Sequence, residues 1–284
     1  MHILKRRSYK TESGNIIYWT NDITKDRITL VFLPGLTATH ILFNKQLAFF
    51  DDKFNCLVWD APGHGESTPF ELKFTMEDMA VFLHDIFELE HIEHPVLIGQ
   101  SMGGYVSQMY MELYPGSAAG FISIDSCSLK RKYVTAFDIW ALRRTEPLYR
   151  IYPWKALMKA GIKGCAETEY GRRLMYKMLK TWDRDWYCKV AGHGFKMLAE
   201  SLDSDREFAI RCPAILICGA RDQAGSAKRY NKKWAAGENL PIYWIRDAGH
   251  NSNTDRPDEV NKIIEEFVDD KLELSELFRA RDVS

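Results

Sequence analysis

The sequence lacks any uniformly apolar run long enough to cross a membrane, because polar or charged residues interrupt every window of about 18 residues. Residues 1–10 are charged and lack the apolar core of a signal peptide. Six cysteines are present without Cys-x-x-Cys spacing, and without an export signal we expect free thiols in a reducing compartment. The sequence therefore predicts a cytoplasmic protein with no membrane span.

Motifs of several cofactor-dependent classes are also missing. The chain has no His-Glu-x-x-His zinc signature, no glycine-rich phosphate-binding loop and no dinucleotide fingerprint. Its formal net charge is −1, so it carries no overall positive charge that would attract a polyanion, and it contains no recognisable nucleic-acid-binding module. We therefore expect no cofactor, no metal and no nucleic-acid partner.

The most informative stretch is a Gly-x-Ser-x-Gly motif, Gly99-Gln100-Ser101-Met102-Gly103. The apolar run at 95–98 predicts a buried strand before it, and the pattern at 102–113 predicts a helix after it. A sharp strand-to-helix turn needs small flanking residues and exposes its central hydroxyl beside the first amide of the helix. The alternative interpretation is a glycine-rich turn in which the serine is incidental. Such a turn would not require a buried strand before it and a helix after it. We interpret Ser101 as a nucleophile and the Met102 amide as an oxyanion donor.

Further apolar runs predict the rest of a central sheet. A hairpin is expected at 8–19, and buried strands are expected at 28–33, 54–59, 120–124, 213–218 and 241–245. Helical patterns follow several of them, at 75–90, 226–236 and 256–274. Thr75 and Asp78 have the spacing of a capping box at the start of the first of these helices. Alternating strands and helices predict the α/β class, with a mostly parallel central sheet flanked by helices.

The composition changes between the strands at 120–124 and 213–218. Residues 130–205 contain no buried-strand pattern; they show helical stretches and carry 16 Lys and Arg against 9 Asp and Glu. We interpret 128–205 as a helical cap inserted into a core formed by 1–127 and 206–284. Four of the eight tryptophans lie in it: Trp140, Trp154, Trp182 and Trp186. They either line a substrate pocket or form a small core within the cap itself.

Three polar residues each follow a predicted strand: Ser101, Asp222 and His250. In a parallel sheet these positions share the carboxyl edge, where ligands bind. A serine hydroxyl needs an imidazole to accept its proton, and the imidazole needs a carboxylate that fixes its tautomer. Leu36, after an earlier strand, offers a second backbone amide for a tetrahedral oxyanion. His64 is a weaker candidate base, and we interpret it as a residue that structures its loop.

Together these motifs resemble the α/β-hydrolase family, specifically its cap-bearing serine hydrolases, which include esterases, carbon–carbon bond hydrolases and perhydrolases. The matching stretches are Phe32-Leu33-Pro34-Gly35, Asp60-Ala61-Pro62-Gly63-His64-Gly65-Glu66-Ser67, Gly99-Gln100-Ser101-Met102-Gly103-Gly104, Gly219-Ala220-Arg221-Asp222 and Gly249-His250. The resemblance implies a catalytic triad of Ser101, Asp222 and His250. It also implies oxyanion donors at the backbone amides of Leu36 and Met102.

Two positions depart from the family pattern. The oxyanion loop reads Pro34-Gly35 where the family usually has His-Gly, although the donors themselves are backbone amides. Some members take the acid from the end of an earlier strand, so Asp125 is the alternative acid in this chain. Serine rather than aspartate at position 101 argues against the dehalogenase and epoxide-hydrolase branches, which form an ester on a carboxylate.

The expected activity is that of a serine hydrolase that cleaves an ester or related acyl substrate of small to medium size through an acyl-enzyme on Ser101. The same triad also serves carbon–carbon bond hydrolysis, lyase chemistry and acyl transfer to an acceptor other than water. A ligand receptor on the same scaffold is a third alternative, which the intact triad disfavours. The expected partner is a small-molecule substrate, and the sequence leaves the oligomeric state open.

Overall fold

An eight-stranded sheet forms the centre of the computed structural model, which describes residues 4–271. Its strands are β1 (Lys5–Thr11), β2 (Gly14–Thr20), β3 (Thr29–Leu33), β4 (Asn55–Trp59), β5 (Val96–Gln100), β6 (Gly120–Ile124), β7 (Ala214–Gly219) and β8 (Ile242–Ile245). They lie in the order β1-β2-β4-β3-β5-β6-β7-β8. The β1–β2 and β2–β4 pairs are antiparallel, and the remaining pairs are parallel. The predicted mostly parallel sheet is confirmed.

The helices flank this sheet and fill the long connection between β6 and β7. They are α1 (Asn44–Phe50), α2 (Met76–Leu89), α3 (Met102–Leu113), α4 (Ala136–Leu142), α5 (Thr145–Ile151), α6 (Trp154–Cys165), α7 (Glu169–Leu179), α8 (Arg184–Asp203), α9 (Ala227–Glu238), α10 (Ser252–Asp255) and α11 (Pro257–Lys271). Helices α4 to α8 form the inserted helical segment that the sequence predicts. No helix of the described range is both long and apolar enough for a membrane span.

Two apolar cores cover the two faces of the sheet. Along β3, Val31 and Leu33 face a core shared with α2, α3 and α9, whereas Leu30 and Phe32 face a core shared with α1 and α11. All four side chains are fully buried. Side chains alternate across a strand, so a strand covered on both faces is apolar at every position, which is the pattern that predicts the central strands.

Most predicted elements are confirmed to within one or two residues. The capping box of α2 is present: the Thr75 hydroxyl accepts from the Asp78 amide at 3.1 Å, and the Asp78 carboxylate accepts from the Thr75 amide at 2.8 Å. The short helices α1 and α10 are absent from the sequence-based prediction. The last helix is predicted to reach residue 274, and 272–274 lie outside the described residues. All six cysteines are free thiols.

Helix α3 packs so closely on β3 that only glycine fits at Gly103. A β-carbon built there would overlap the Leu33 carbonyl oxygen, a backbone atom that cannot rotate away. We expect Gly103→Ala to lower the free energy of unfolding by about 1–3 kcal/mol, measured by urea denaturation. Gly164→Ala is the control, because its added β-carbon meets nothing within 4 Å; it should be neutral or stabilising. If Gly103→Ala were as stable as wild type, the close packing of α3 on β3 would be contradicted.

Candidate active site

The backbone turns from β5 into α3 at Ser101. Its φ of 49° and ψ of −116° lie outside the conformations that non-glycine residues ordinarily adopt. The Ser101 amide donates to the Ile124 carbonyl of the neighbouring strand at 2.9 Å, which holds the strained turn in place. A β-carbon at Gly99 would overlap the backbone of Gly103, so the two glycines of the motif leave space for each other. The predicted elbow is therefore present, with Ser101 at its apex.

The structure brings Ser101, His250 and Asp222 together in a hydrogen-bonded chain. His250 Nε2 lies 2.9 Å from Ser101 Oγ, and His250 Nδ1 lies 3.0 Å from Asp222 Oδ2. The Asp222 side chain is fully buried, whereas 14% of the His250 side chain is exposed. Because a carboxylate accepts, Nδ1 carries the proton, and Nε2 accepts from the serine hydroxyl. The Ala224 amide donates to Asp222 Oδ1 at 2.7 Å and fixes the orientation of the carboxylate.

The electrostatic surroundings of His250 favour its charged form. Burial by itself would lower the pKa of His250, but the carboxylates of Asp222 and, more weakly, Asp125 raise that pKa above its ordinary value. An imidazole that accepts a proton from a nucleophile becomes a cation, and these carboxylates stabilise the cation.

The raised pKa of His250 predicts the acid limb of the pH–rate profile. Neutral His250 is the form that accepts a proton, so kcat/KM should fall as the pH drops through this pKa, with its midpoint above about pH 6.5. Asp222→Asn removes the strongest raising charge, so in that variant the midpoint of the remaining activity should move to lower pH. Initial rates over about pH 5–9 measure the acid limb for both wild type and Asp222→Asn. A midpoint that does not move would contradict the assigned electrostatics.

Asp125, the alternative acid, occupies a different position. Its Oδ1 accepts from the Gly219 amide at 2.7 Å, and its Oδ2 accepts from the Ser252 amide at 2.8 Å and hydroxyl at 2.6 Å. No hydrogen bond joins it to His250 in the described part of the chain. Burial and the nearby Asp222 raise the pKa of Asp125 to about 7. Asp125 therefore ties β7 and α10 together beside the histidine, and Asp222 is the carboxylate that contacts the imidazole.

Two residues that the sequence analysis did not single out hold the His250 loop. Gln100 Nε2 donates to the His250 carbonyl at 2.8 Å. Asp255 Oδ2 accepts from the Gly249 amide, and its Oδ1 accepts from the Thr168 amide, both at 2.9 Å. Gln100 is one of the two variable residues of the elbow motif, and Asp255 lies in a polar run without periodicity. Gln100 has no local signal because its partner, the His250 carbonyl, is 150 residues away, and Asp255 joins the nearby Gly249 to Thr168, which is 87 residues away.

The two predicted oxyanion donors belong to two segments that meet at the elbow. The Met102 amide is the first of α3 and has no acceptor within the helix. The loop before Leu36 presses against the elbow, since a β-carbon at Gly35 would lie 2.9 Å from Ser101 Cβ. The Leu36 side chain in turn packs on α8 at Gly194, where an added β-carbon would overlap it. The helical insertion thus holds the Leu36 loop against the elbow.

This architecture and site match a known family. The model of the alpha/beta hydrolase family matches residues 30–263. The chain belongs to the alpha/beta hydrolase family. The matched range runs from β3 into α11 and includes the inserted helices as well as Ser101, Asp222 and His250.

Individual relatives of this α/β hydrolase are distant. The uncharacterized hydrolase YugF of Bacillus subtilis is 23% identical over 266 residues, covering 91% of this chain and 96% of the relative. A 2-(acetamidomethylene)succinate hydrolase of Mesorhizobium japonicum is 24% identical over 254 residues, covering 84% and 87%. Among solved structures, a thermophilic esterase of Thermogutta terrifontis superposes with a TM-score of 0.71 at 22% identity, covering 94% of this chain and 98% of that one. The structural likeness supports the fold.

Two tryptophans of the insertion bind the core loops at the active edge of this α/β hydrolase. Trp182 Nε1 donates to the Thr37 carbonyl at 3.2 Å, and Trp186 Nε1 donates to the Gly63 carbonyl at 3.0 Å. Trp154 instead packs against Tyr187 with ring centroids 5.1 Å apart, and Trp140 is half exposed. The four cap tryptophans therefore divide between contacts with the core and contacts within the insertion.

A narrow apolar cavity lies beside the elbow. Its walls come from the oxyanion loop, the loop after β4, α2, α3 and α8, and they include Leu36, Trp59, His64, Met102 and His193. The centre of a water-sized molecule has about 10 Å³ in which to move, enough for one small group. Within the described residues no hydrogen bond joins His64 to Ser101; His64 Nδ1 lies 3.0 Å from the Pro62 carbonyl oxygen, in keeping with a residue that structures its loop.

One set of potential metal ligands occurs among residues 4–271. The ligand atoms of Asp125, Cys218 and Asp222 lie within 4.8 Å of one another, and all three residues are buried. The oxygens of both carboxylates already accept hydrogen bonds, those of Asp125 from Gly219 and Ser252. Burial raises the pKa of the Cys218 thiol far above its ordinary value, which disfavours the thiolate that binds metals. We assign Asp222 to the support of His250 and Asp125 to the neighbouring β7 and α10.

Proposed function

We propose that this α/β hydrolase cleaves an ester or related acyl substrate of small to medium size through an acyl-enzyme on Ser101. The observation that carries the proposal is the chain of contacts from Ser101 Oγ to His250 Nε2 at 2.9 Å and from His250 Nδ1 to Asp222 at 3.0 Å. These distances are within hydrogen-bond reach, which direct proton transfer requires.

The proposed reaction has two halves. The Ser101 oxygen attacks the substrate carbonyl while its proton passes to His250 Nε2, and the oxyanion is bound by the amides of Leu36 and Met102. The tetrahedral intermediate collapses as His250 returns the proton to the departing oxygen. Water then attacks the acyl-enzyme while giving a proton to His250, and the second tetrahedral intermediate collapses as His250 returns that proton to Ser101 Oγ, which breaks the acyl–serine bond and releases the acid. Asp222 keeps the imidazole in the required tautomer throughout.

Residues 128–205 act, in this proposal, as a cap over a core formed by 1–127 and 206–284. The hydrogen bonds from Trp182 and Trp186 to core loops support this role, as does the packing of Leu36 on α8. The cap contributes Val190, His193 and Met197 to the cavity beside the elbow. Substrate choice therefore depends on both parts of the chain.

The relatives support acyl chemistry without fixing the bond that is cleaved. One is named for hydrolysis of an acetamido compound, and a structural neighbour is an esterase. Carbon–carbon bond hydrolysis, lyase chemistry and acyl transfer would use the same Ser101 and His250 atoms. The choice of substrate in the experiment decides among them.

A series of p-nitrophenyl esters from acetate to long-chain acids tests the proposal, with wild type and Ser101→Ala assayed in parallel. We expect release of nitrophenol by wild type, with a preference for short acyl chains because the cavity is narrow. A fluorophosphonate should label wild type and should not label Ser101→Ala. A labelled serine without turnover of any ester would favour the lyase, carbon–carbon or receptor alternatives instead.

A further inference from the structure

The buried carboxylate of Asp255 joins the loop of His250 to the junction between α6 and α7. Its Oδ2 accepts from the Gly249 amide and from the Glu167 amide, both at 2.9 Å. Its Oδ1 accepts from the Thr168 amide at 2.9 Å and from the Thr168 hydroxyl at 2.8 Å. Four donors on two oxygens fit an ionised carboxylate, and such bonds are strong where water does not compete. One side chain therefore holds the residue before His250 and two residues of the insertion.

The residue after His250 is held by the same part of the insertion. The Asn251 amide donates to the Cys165 carbonyl, at the end of α6, at 2.8 Å. The Asn251 side-chain nitrogen lies 3.0 Å from Met175 Sδ of α7. On the other flank, a β-carbon added at Gly249 would lie 3.2 Å from the Cys165 carbonyl oxygen. Both chain neighbours of His250 are therefore in contact with the inserted helices.

The first turn of α7 is built around the Asp255 carboxylate. Thr168 caps this helix: its hydroxyl oxygen accepts from the Gly171 amide at 3.1 Å while its proton goes to Asp255 Oδ1. A β-carbon added at Gly171 would lie only 2.7 Å from the same Oδ1. The start of α7 therefore rests directly on Asp255.

The other two members of the proposed triad are held by the core. The Ser101 amide donates to the Ile124 carbonyl, and the Asp222 carboxylate accepts from the Ala224 amide. In the part of the chain that the structure describes, no hydrogen bond joins Ser101 or Asp222 to the inserted helices. Proton transfer requires His250 Nε2 within hydrogen-bond reach of Ser101 Oγ, so a shift of the His250 segment by about 1 Å would slow the reaction.

We propose that Asp255 is a positioning residue through which the inserted helices hold His250 within reach of Ser101, so that the reactivity of the serine depends on the docking of the insertion. This inference rests on the proposed hydrolase function, in which His250 is the base and 128–205 are the cap. Asp255 acts through the Gly249 amide, and among the described residues it forms no hydrogen bond with the imidazole. Movement of the junction between α6 and α7 away from the core would release both flanks of His250 at once.

Thr168→Val tests this connection without changing any charge, because it keeps the shape of the side chain and removes only the hydroxyl. We expect kcat for p-nitrophenyl acetate to fall by about 3- to 10-fold, with KM within about twofold of wild type. Asp255→Asn turns a donor nitrogen toward donors and should lower kcat by about 10- to 100-fold. The butyrate ester should show the same factors, since a misplaced base slows every substrate. Thr168→Ser keeps the hydroxyl and should restore kcat to within about twofold of wild type.

Thr135→Val is the matched control. Thr135 caps α4 of the insertion in the same way: its hydroxyl accepts from the Asp138 amide at 3.2 Å and donates to the Asp138 carboxylate. The variant loses the same kind of helix cap without affecting Asp255, so kcat should stay within about twofold of wild type. Thermal unfolding shows whether each variant is folded at the assay temperature. Equal losses of kcat in Thr168→Val and Thr135→Val would reduce the effect to helix stability and overturn the inference.

The rate of fluorophosphonate labelling separates this inference from the proposed function. Labelling depends on the activation of Ser101 by His250 and needs no ester substrate, so its rate constant should fall in Thr168→Val and Asp255→Asn by factors similar to those for kcat. Slower labelling of both variants without ester turnover by wild type would keep the positioning role and overturn the ester hydrolase. Wild-type rates of labelling and turnover in both variants would overturn the positioning role and keep the hydrolase. A wild type that is neither labelled nor active would overturn both.

Discussion

Replacing Ser101 with alanine should lower kcat for the best ester substrate by about 10⁴-fold or more. The serine oxygen is the atom that forms the acyl bond in the proposed mechanism, and His250 alone can only activate water. Alanine introduces no larger side chain at φ 49°, so the turn and the fold should persist. Steady-state rates, together with thermal unfolding, separate lost chemistry from lost structure.

Ser13→Ala is the matched control for this variant. Ser13 lies at the turn between β1 and β2, far in the fold from the elbow, and the substitution removes the same hydroxyl. It should leave kcat and KM within about twofold of wild type. If Ser101→Ala retained more than about a tenth of wild-type kcat, a mechanism through an acyl-serine could not stand.

The second large effect is expected at Asp222. Asp222→Asn should lower kcat by about 10³- to 10⁴-fold, because the amide nitrogen would donate to His250 Nδ1 and place the imidazole proton on Nε2. An imidazole in that tautomer cannot accept the serine proton. The substitution preserves size in a fully buried position, so a change in packing does not account for the loss. Initial rates at the pH optimum of each variant measure the effect.

Asp125→Asn is the comparison, and its effect should fall mainly on stability. Both oxygens of Asp125 accept hydrogen bonds, one from the Gly219 amide and the other from the Ser252 amide. Asparagine replaces one of these oxygens with a nitrogen that cannot accept a hydrogen bond. One buried donor loses its partner, so the free energy of unfolding should fall by about 1–3 kcal/mol. The loss in kcat should be far smaller than that of Asp222→Asn. The reverse order of kcat losses would identify Asp125 as the acid.

The elbow is predictable from sequence because its requirements are local. A buried strand, small residues on both sides of Ser101 and a following helix all leave signals within a few positions. Asp222 and His250 are harder to predict from the sequence, since each is identified only by its place after an apolar run. That placement is informative because consecutive parallel strands end at one edge of the sheet. The fold class follows from the same alternation.

The choice between Asp125 and Asp222 shows where sequence information ends. Strands β6 and β7 are neighbours, so both carboxylates reach the vicinity of His250. Only the path of the loop after β7 brings Asp222 against Nδ1, and no periodicity encodes that path. The roles of Gln100 and Trp182 also depend on partners far away in the chain, so these residues carry no local signal.

The most direct test of the central claim is to trap the acyl-enzyme. Wild type mixed rapidly with p-nitrophenyl acetate and quenched in acid should carry one acetyl group on the peptide that contains Ser101, with a matching burst of nitrophenol. Ser101→Ala should show neither the adduct nor the burst. An acetyl group on another residue, or ester turnover by wild type without any adduct on Ser101, would contradict the account.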